Sequence, residues 1–130
     1  MTKKYTGKKR FKCSEDYFFP DCYVIFEIDF DNETLSEVIE QMAIFHVLEL
    51  TKDNFIECLQ ECLKIISNLA YSYLTSEMCG YGRLESIEKY ITRTEGFPDV
   101  DGSSGINLKV VEFSACLDAD DFDIEEVTNY

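Results

Sequence analysis

From Phe55 to about Met78 the chain carries a wide apolar stripe at three-four spacing: Phe55, Ile56, Leu59, Cys62, Leu63, Ile66, Leu69, Ala70, Tyr73 and Leu74. That spacing returns each side chain to one side of a 3.6-residue turn, so the segment reads as an amphipathic helix beginning near Thr51 or Asp53. At 1.5 Å per residue, a helix of about 26 residues would be roughly 39 Å long, enough to act as the central packing element. Gly80 is a natural stop, and a break near Ser67-Asn68 is an alternative. Whatever else the chain forms must pack along this stripe.

The flanking segments alternate instead. In Tyr23–Phe30, Val24, Phe26, Ile28 and Phe30 point one way, and Tyr23, Ile25, Glu27 and Asp29 the other. This is a half-buried strand with a wet or partly wet second face. Ile106–Phe113 reads as a strand with a bulge where Val110 and Val111 adjoin, and Phe122–Val127 as an edge strand crowded by charge. Lys8–Cys13 is a further short strand candidate, followed by a turn at Tyr17-Phe18-Phe19-Pro20. Leu35, Val38, Ile39, Met42 and Phe45 form one face of a first helix, and Arg83–Thr92 a third. At the first helix start, Thr34 with Glu37 fits a capping box, while Asp31 or Asn32 would serve as N-cap. Strands, then helices, then strands predict an α+β fold: an antiparallel sheet of about 3–4 strands with two or three helices on one face.

Charge is laid out unevenly. Of 12 basic residues, six fall within the first twelve positions, a segment with no acid. From Cys13 onward, six basic residues stand against 26 acidic ones, so the formal net charge of −14 hides a body at −20. The pattern divides the chain into a basic arm at 1–12, partly disordered, and a single acidic α+β domain at 13–130. A body so acidic should repel nucleic acid and anionic membrane, and attract basic proteins at low salt. The basic start has no apolar run behind it, so no export signal is expected, and the chain reads as cytoplasmic. The six cysteines, at 13, 22, 58, 62, 79 and 116, are scattered, which favours reduced, packed thiols over a disulfide framework.

Chemistry-bearing motifs are sparse. A single histidine, His46, excludes multi-histidine metal sites, and its place beside the first helix's apolar face favours a structural role. Cys58-x3-Cys62 has zinc-knuckle spacing but lies mid-helix without turn residues. Asp99-x-Asp101 lacks glycine and glutamate at the calcium-loop positions taken by Ser104 and Val110. Pro98-Asp99 followed by Asn107-Leu108-Lys109 approaches a metal-nuclease pattern, with asparagine where the second acid is needed. Gly102-Ser103-Ser104-Gly105 has no following lysine and precedes a strand, so it reads as a turn rather than a phosphate loop. No cofactor or catalytic residue is implied.

The most distinctive stretch is Glu95-Gly96-Phe97-Pro98-Asp99-Val100-Asp101-Gly102-Ser103-Ser104-Gly105-Ile106. With Asp120-Asp121-Phe122-Asp123 and the early Phe26-Glu27-Ile28-Asp29, it resembles a small family of phage, prophage and mobile-element proteins known only as a domain of unknown function. The resemblance covers about a fifth of the chain. It implies a viral or mobile-element accessory protein in a bacterial cytoplasm and carries no catalytic residues.

The expected function is therefore non-enzymatic. An acidic surface would engage and inhibit or modulate a basic host protein, such as a nucleic-acid-binding defence factor, with carboxylates standing where phosphates would lie. The candidate partner-binding acids are Asp118, Asp120, Asp121, Asp123, Glu125 and Glu126 in the C-terminal run, and Glu33, Glu37, Glu40, Glu57 and Glu61 on the helices. Two alternatives stay open: a self-associating homodimer, and a metal-assisted enzyme built on clustered carboxylates.

Overall fold

The computed structural model describes residues 5–15, 19–51, 53–76, 84–112 and 123–127. Strands β1 (Lys8–Glu15) and β2 (Phe19–Asp29) come first, followed by helices α1 (Leu35–Phe45), α2 (Phe55–Ser76) and α3 (Leu84–Arg93). Strands β3 (Ile106–Glu112) and β4 (Asp123–Val127) close the order. They form one antiparallel four-stranded sheet in the order β3-β2-β1-β4, which makes this an α+β protein, with three helices among the described residues.

Alternation decides which face of the sheet is covered. Phe11 and Cys13 of β1 lie opposite Phe26 and Val24 of β2, which in turn oppose Leu108 and Val111 of β3. These residues, with Ile28 and Ile106, share one core cluster with Ile39 and Met42 of α1, Leu59, Leu63 and Ile66 of α2, and Ile87 and Ile91 of α3. The helices therefore lie on a single face. Each fully buried Leu, Ile or Phe contributes about 1.5–3 kcal/mol relative to exposure, so this cluster dominates the fold's stability. Helix α2 runs without interruption through Ser67, whose hydroxyl donates to the Leu63 carbonyl at 2.8 Å one turn back. The predicted stop at Gly80 lies outside the described residues, as do Tyr17 and Phe18 of the predicted turn, whereas Phe19 and Pro20, expected in that turn, already belong to β2, where Phe19 pairs with Glu15.

On the opposite face, Ile25 is fully buried between its cross-strand neighbours Lys12 and Val110 rather than wet. The bulge in β3 falls one residue earlier than the Val110–Val111 pair suggests. Ile25 pairs with Val110 and Phe26 with Leu108, leaving Lys109 as the extra residue.

The charge boundary at residue 12 is not a structural boundary. Lys8, Lys9, Arg10 and Lys12 belong to β1, an inner strand flanked by β2 and β4. The cause is register: Phe11 and Cys13 face the core, while Lys8, Arg10 and Lys12, on the alternate side of the strand, meet acidic residues of the neighbouring strands. Lys8 opposes Asp29, Lys12 opposes Glu125, and Arg10 Nε donates to Glu27 Oε2 at 3.1 Å. The Lys12 ammonium also lies 5.0 Å from the Tyr23 ring centroid, within cation–π reach.

Candidate functional site

Thr34 takes the N-cap position of helix α1, but its side chain closes no capping box. The Asn32 side-chain oxygen accepts from the Thr34 backbone N–H at 2.8 Å and from its hydroxyl at 2.7 Å, so Thr34 makes no cap bond of its own. The Asn32 amide then donates to the Ser103 carbonyl at 3.2 Å, tying the helix start to the turn at 101–105. That turn is built around glycines. Gly102 (φ +98°) and Gly105 (φ +93°) adopt left-handed backbone, and Asp101 Oδ1 accepts from the Ser103 N–H and hydroxyl at 3.0 and 2.6 Å. Those two bonds hold the Asp101 carboxyl below its usual range.

At its other end α1 closes in a Schellman arrangement. The Leu48 N–H donates to the Ala43 carbonyl at 2.8 Å and the Val47 N–H to the Ile44 carbonyl at 3.4 Å. The left-handed position in this motif ordinarily takes glycine, yet here Val47 holds it at φ +56°. Next to it, the His46 Nε2–H donates to the Gly96 carbonyl at 3.0 Å, and the His46 ring meets Phe45 and Phe97 edge-on, both at 5.0 Å. His46 is thus a satisfied structural residue bridging helix and loop. Gly96 (φ +88°) lets the Phe45 ring lie directly on its backbone, in the space a Cβ would need.

Pinned at both ends, α1 and the 96–104 segment enclose an open cleft of about 480 Å³, walled by Val38, Met42 and Phe45 on one side and Phe97 on the other. Two acidic residues, Glu37 and Asp99, are among those that line it. Beside the cleft, Ile44 (71%) and Val47 (90%) join the cleft-lining Phe45 (50%) as the exposed large hydrophobic side chains among the described residues. The charge pattern alone does not lead to this apolar ledge.

The helical acids proposed from sequence are all exposed: Glu33, Glu37 and Glu40 at α1, and Glu57 and Glu61 at α2. Glu37, Glu40 and Ile44 share one outward face of α1, being three and four residues apart. Among the described residues, only Glu61 of these five pairs with a base, Lys64 at 3.5 Å. In the C-terminal run, Glu125 and Glu126 are exposed on β4, with Glu125 opposite Lys12 and Glu126 opposite Phe11. Asp123 begins β4, and Asp118, Asp120 and Asp121 lie outside the described residues.

A separate acidic group gathers at α3, where Glu88 feels Asp101 and Glu85 and, in the opposite sense, Lys109. Partial burial first, then those two acids, raise the Glu88 carboxyl above its usual value. Among the described residues, no three Cys, His, Asp or Glu side chains are placed to hold a metal ion. Cys13, Cys58 and Cys62 are free and buried. Burial pushes the Cys13 thiol up to about 12, against a Ser67 hydrogen bond and nearby Lys64, and raises Cys58 and Cys62 as well. Comparison with protein-family models, curated proteins and solved structures returns no match. No described helix is long and apolar enough to cross a membrane.

Proposed function

We propose that this is a non-enzymatic binding protein that presents the outer face of its helical layer, α1 foremost, to a basic protein. One observation carries the reading. Three cations of β1, Lys8, Arg10 and Lys12, face acidic neighbours within the sheet, whereas Glu33, Glu37 and Glu40 stand exposed and without a basic partner among the described residues. A net charge of −14 draws cationic proteins and raises their encounter rate at low ionic strength. The partner class that fits is a nucleic-acid-binding protein, whose surface already accepts a row of anions. The resemblance at residues 95–106 falls on the loop that walls the cleft, and it favours a phage or mobile-element accessory protein acting on such a host factor in the bacterial cytoplasm.

The test is capture from bacterial lysate at low salt, repeated at high salt and with Glu37→Lys/Glu40→Lys. Recovery of a basic protein that is lost both at high salt and in the variant supports the reading. Salt-insensitive recovery, or recovery unchanged by the variant, contradicts it. Self-association is the second reading, favoured by the exposed Ile44, Phe45 and Val47; sedimentation at micromolar concentration would return a dimer mass.

A further inference from the structure

We infer that the Ile44–Val47 ledge and the adjoining cleft form a docking site for an amphipathic cationic segment of the partner. Its apolar side chains would cover the ledge, and a lysine or arginine would enter the cleft beside Glu37 and Asp99. This rests on the acidic-surface reading and narrows it to one place and one ligand chemistry.

Three observations converge there. Ile44, Phe45 and Val47 are exposed within four consecutive positions, and Ile44 and Val47 bury too little to stabilise this fold. Val47 is also a β-branched residue in left-handed backbone, a conformation that costs it energy and would cost glycine none. Strain and exposure both argue against valine on stability grounds, so its side chain fits a role outside the fold. Next to the ledge lies a concave cleft whose lining residues combine the apolar Val38, Met42 and Phe97 with the acidic Glu37 and Asp99. Glu40 extends the same outward face of α1.

Charge selects the occupant. A second copy would bring another net −14 against this face, whereas a cationic segment meets complementary charge along the helix and apolar contact at its end. A helix laid on the ledge, with apolar residues at i and i+4 and Lys or Arg between them, satisfies both.

The experiment titrates the full chain with three synthetic peptides at low salt. One is an amphipathic Leu/Phe–Lys/Arg helix, one a charge-matched Lys/Ser peptide, and one the same apolar pattern with Glu for Lys/Arg. The amphipathic cationic peptide is expected to bind roughly tenfold or more tighter than the Lys/Ser peptide, and the acidic one not at all. Ile44→Ser and Val47→Gly should each erase that advantage. Val47→Gly should do so while raising Tm by roughly 2–4 °C, so lost binding cannot be blamed on misfolding. Equal affinity for the two cationic peptides, or Val47→Gly binding as wild type, would overturn the docking site yet leave the acidic-surface reading standing. Binding to neither cationic peptide defeats both. A dimer that reverts to monomer on Ile44→Ser would assign the ledge to self-association instead.

Discussion

The His46 Nε2–H donates to the carbonyl of Gly96 at 3.0 Å, joining residues fifty positions apart. This bond holds the C-terminal end of α1 against the loop that follows α3, and with the Asn32–Ser103 bond at the other end it fixes the walls of the cleft. The histidine that a search for catalytic groups would single out serves to shape the cleft.

Gly96→Ala tests that geometry. The new methyl group would meet the Phe45 ring and would sit on left-handed backbone at φ +88°. A loss of about 1–3 kcal/mol is expected in chemical denaturation, together with altered chemical shifts for Phe45 and His46. Wild-type stability with an unmoved Phe45 would show that the close approach does not matter.

Glu88 carries a pH signature. A carboxyl raised in the folded state favours its protonated form there, so its contribution to stability is present at low pH and lost as pH rises through the folded value. Glu88→Gln should therefore raise the urea midpoint at pH 7, and the gain should fade as pH falls below the ordinary glutamate value of 4.5. A midpoint at pH 7 equal to or below that of wild type would contradict the account of burial and acidic neighbours.

Cys13, Cys58 and Cys62 should resist alkylation. All three are nearly inaccessible, and burial shifts each toward the unreactive neutral thiol. Peptide mass mapping after iodoacetamide treatment at pH 8 should find them unmodified in the native protein and labelled after denaturation. Rapid native labelling at any of them would mean that the helix–sheet core opens readily.

Much of the fold was legible because the periodicities agree with the burial they require. Alternation at Val24, Phe26 and Ile28 marked the inner face of β2, and the three-four stripe from Phe55 marked α2. Local rules failed where tertiary partners decided the outcome. Thr34 hydrogen-bonds back to Asn32 rather than closing a capping box with its side chain. Val47 takes a position that local preference gives to glycine, so nothing in the sequence announced how α1 ends. Lys8–Cys13 was legible as a strand candidate, but the charge count still grouped residues 8–12 with a basic arm because their acidic partners Asp29, Glu27 and Glu125 are distant in sequence. The candidate acids on α1 were legible as exposed charge. The cleft was not, since it exists only where α1 meets a loop about fifty residues later.

The most direct test compares two charge reversals that change net charge equally, Glu37→Lys/Glu40→Lys on α1 and Glu57→Lys/Glu61→Lys on α2, against the amphipathic cationic peptide over a range of salt. The account predicts that the α1 pair loses roughly tenfold or more in affinity and flattens the salt dependence, while the α2 pair stays within about threefold of wild type. Equal losses from both pairs would mean that the partner reads only overall charge, and α1 would have no special claim as the binding face.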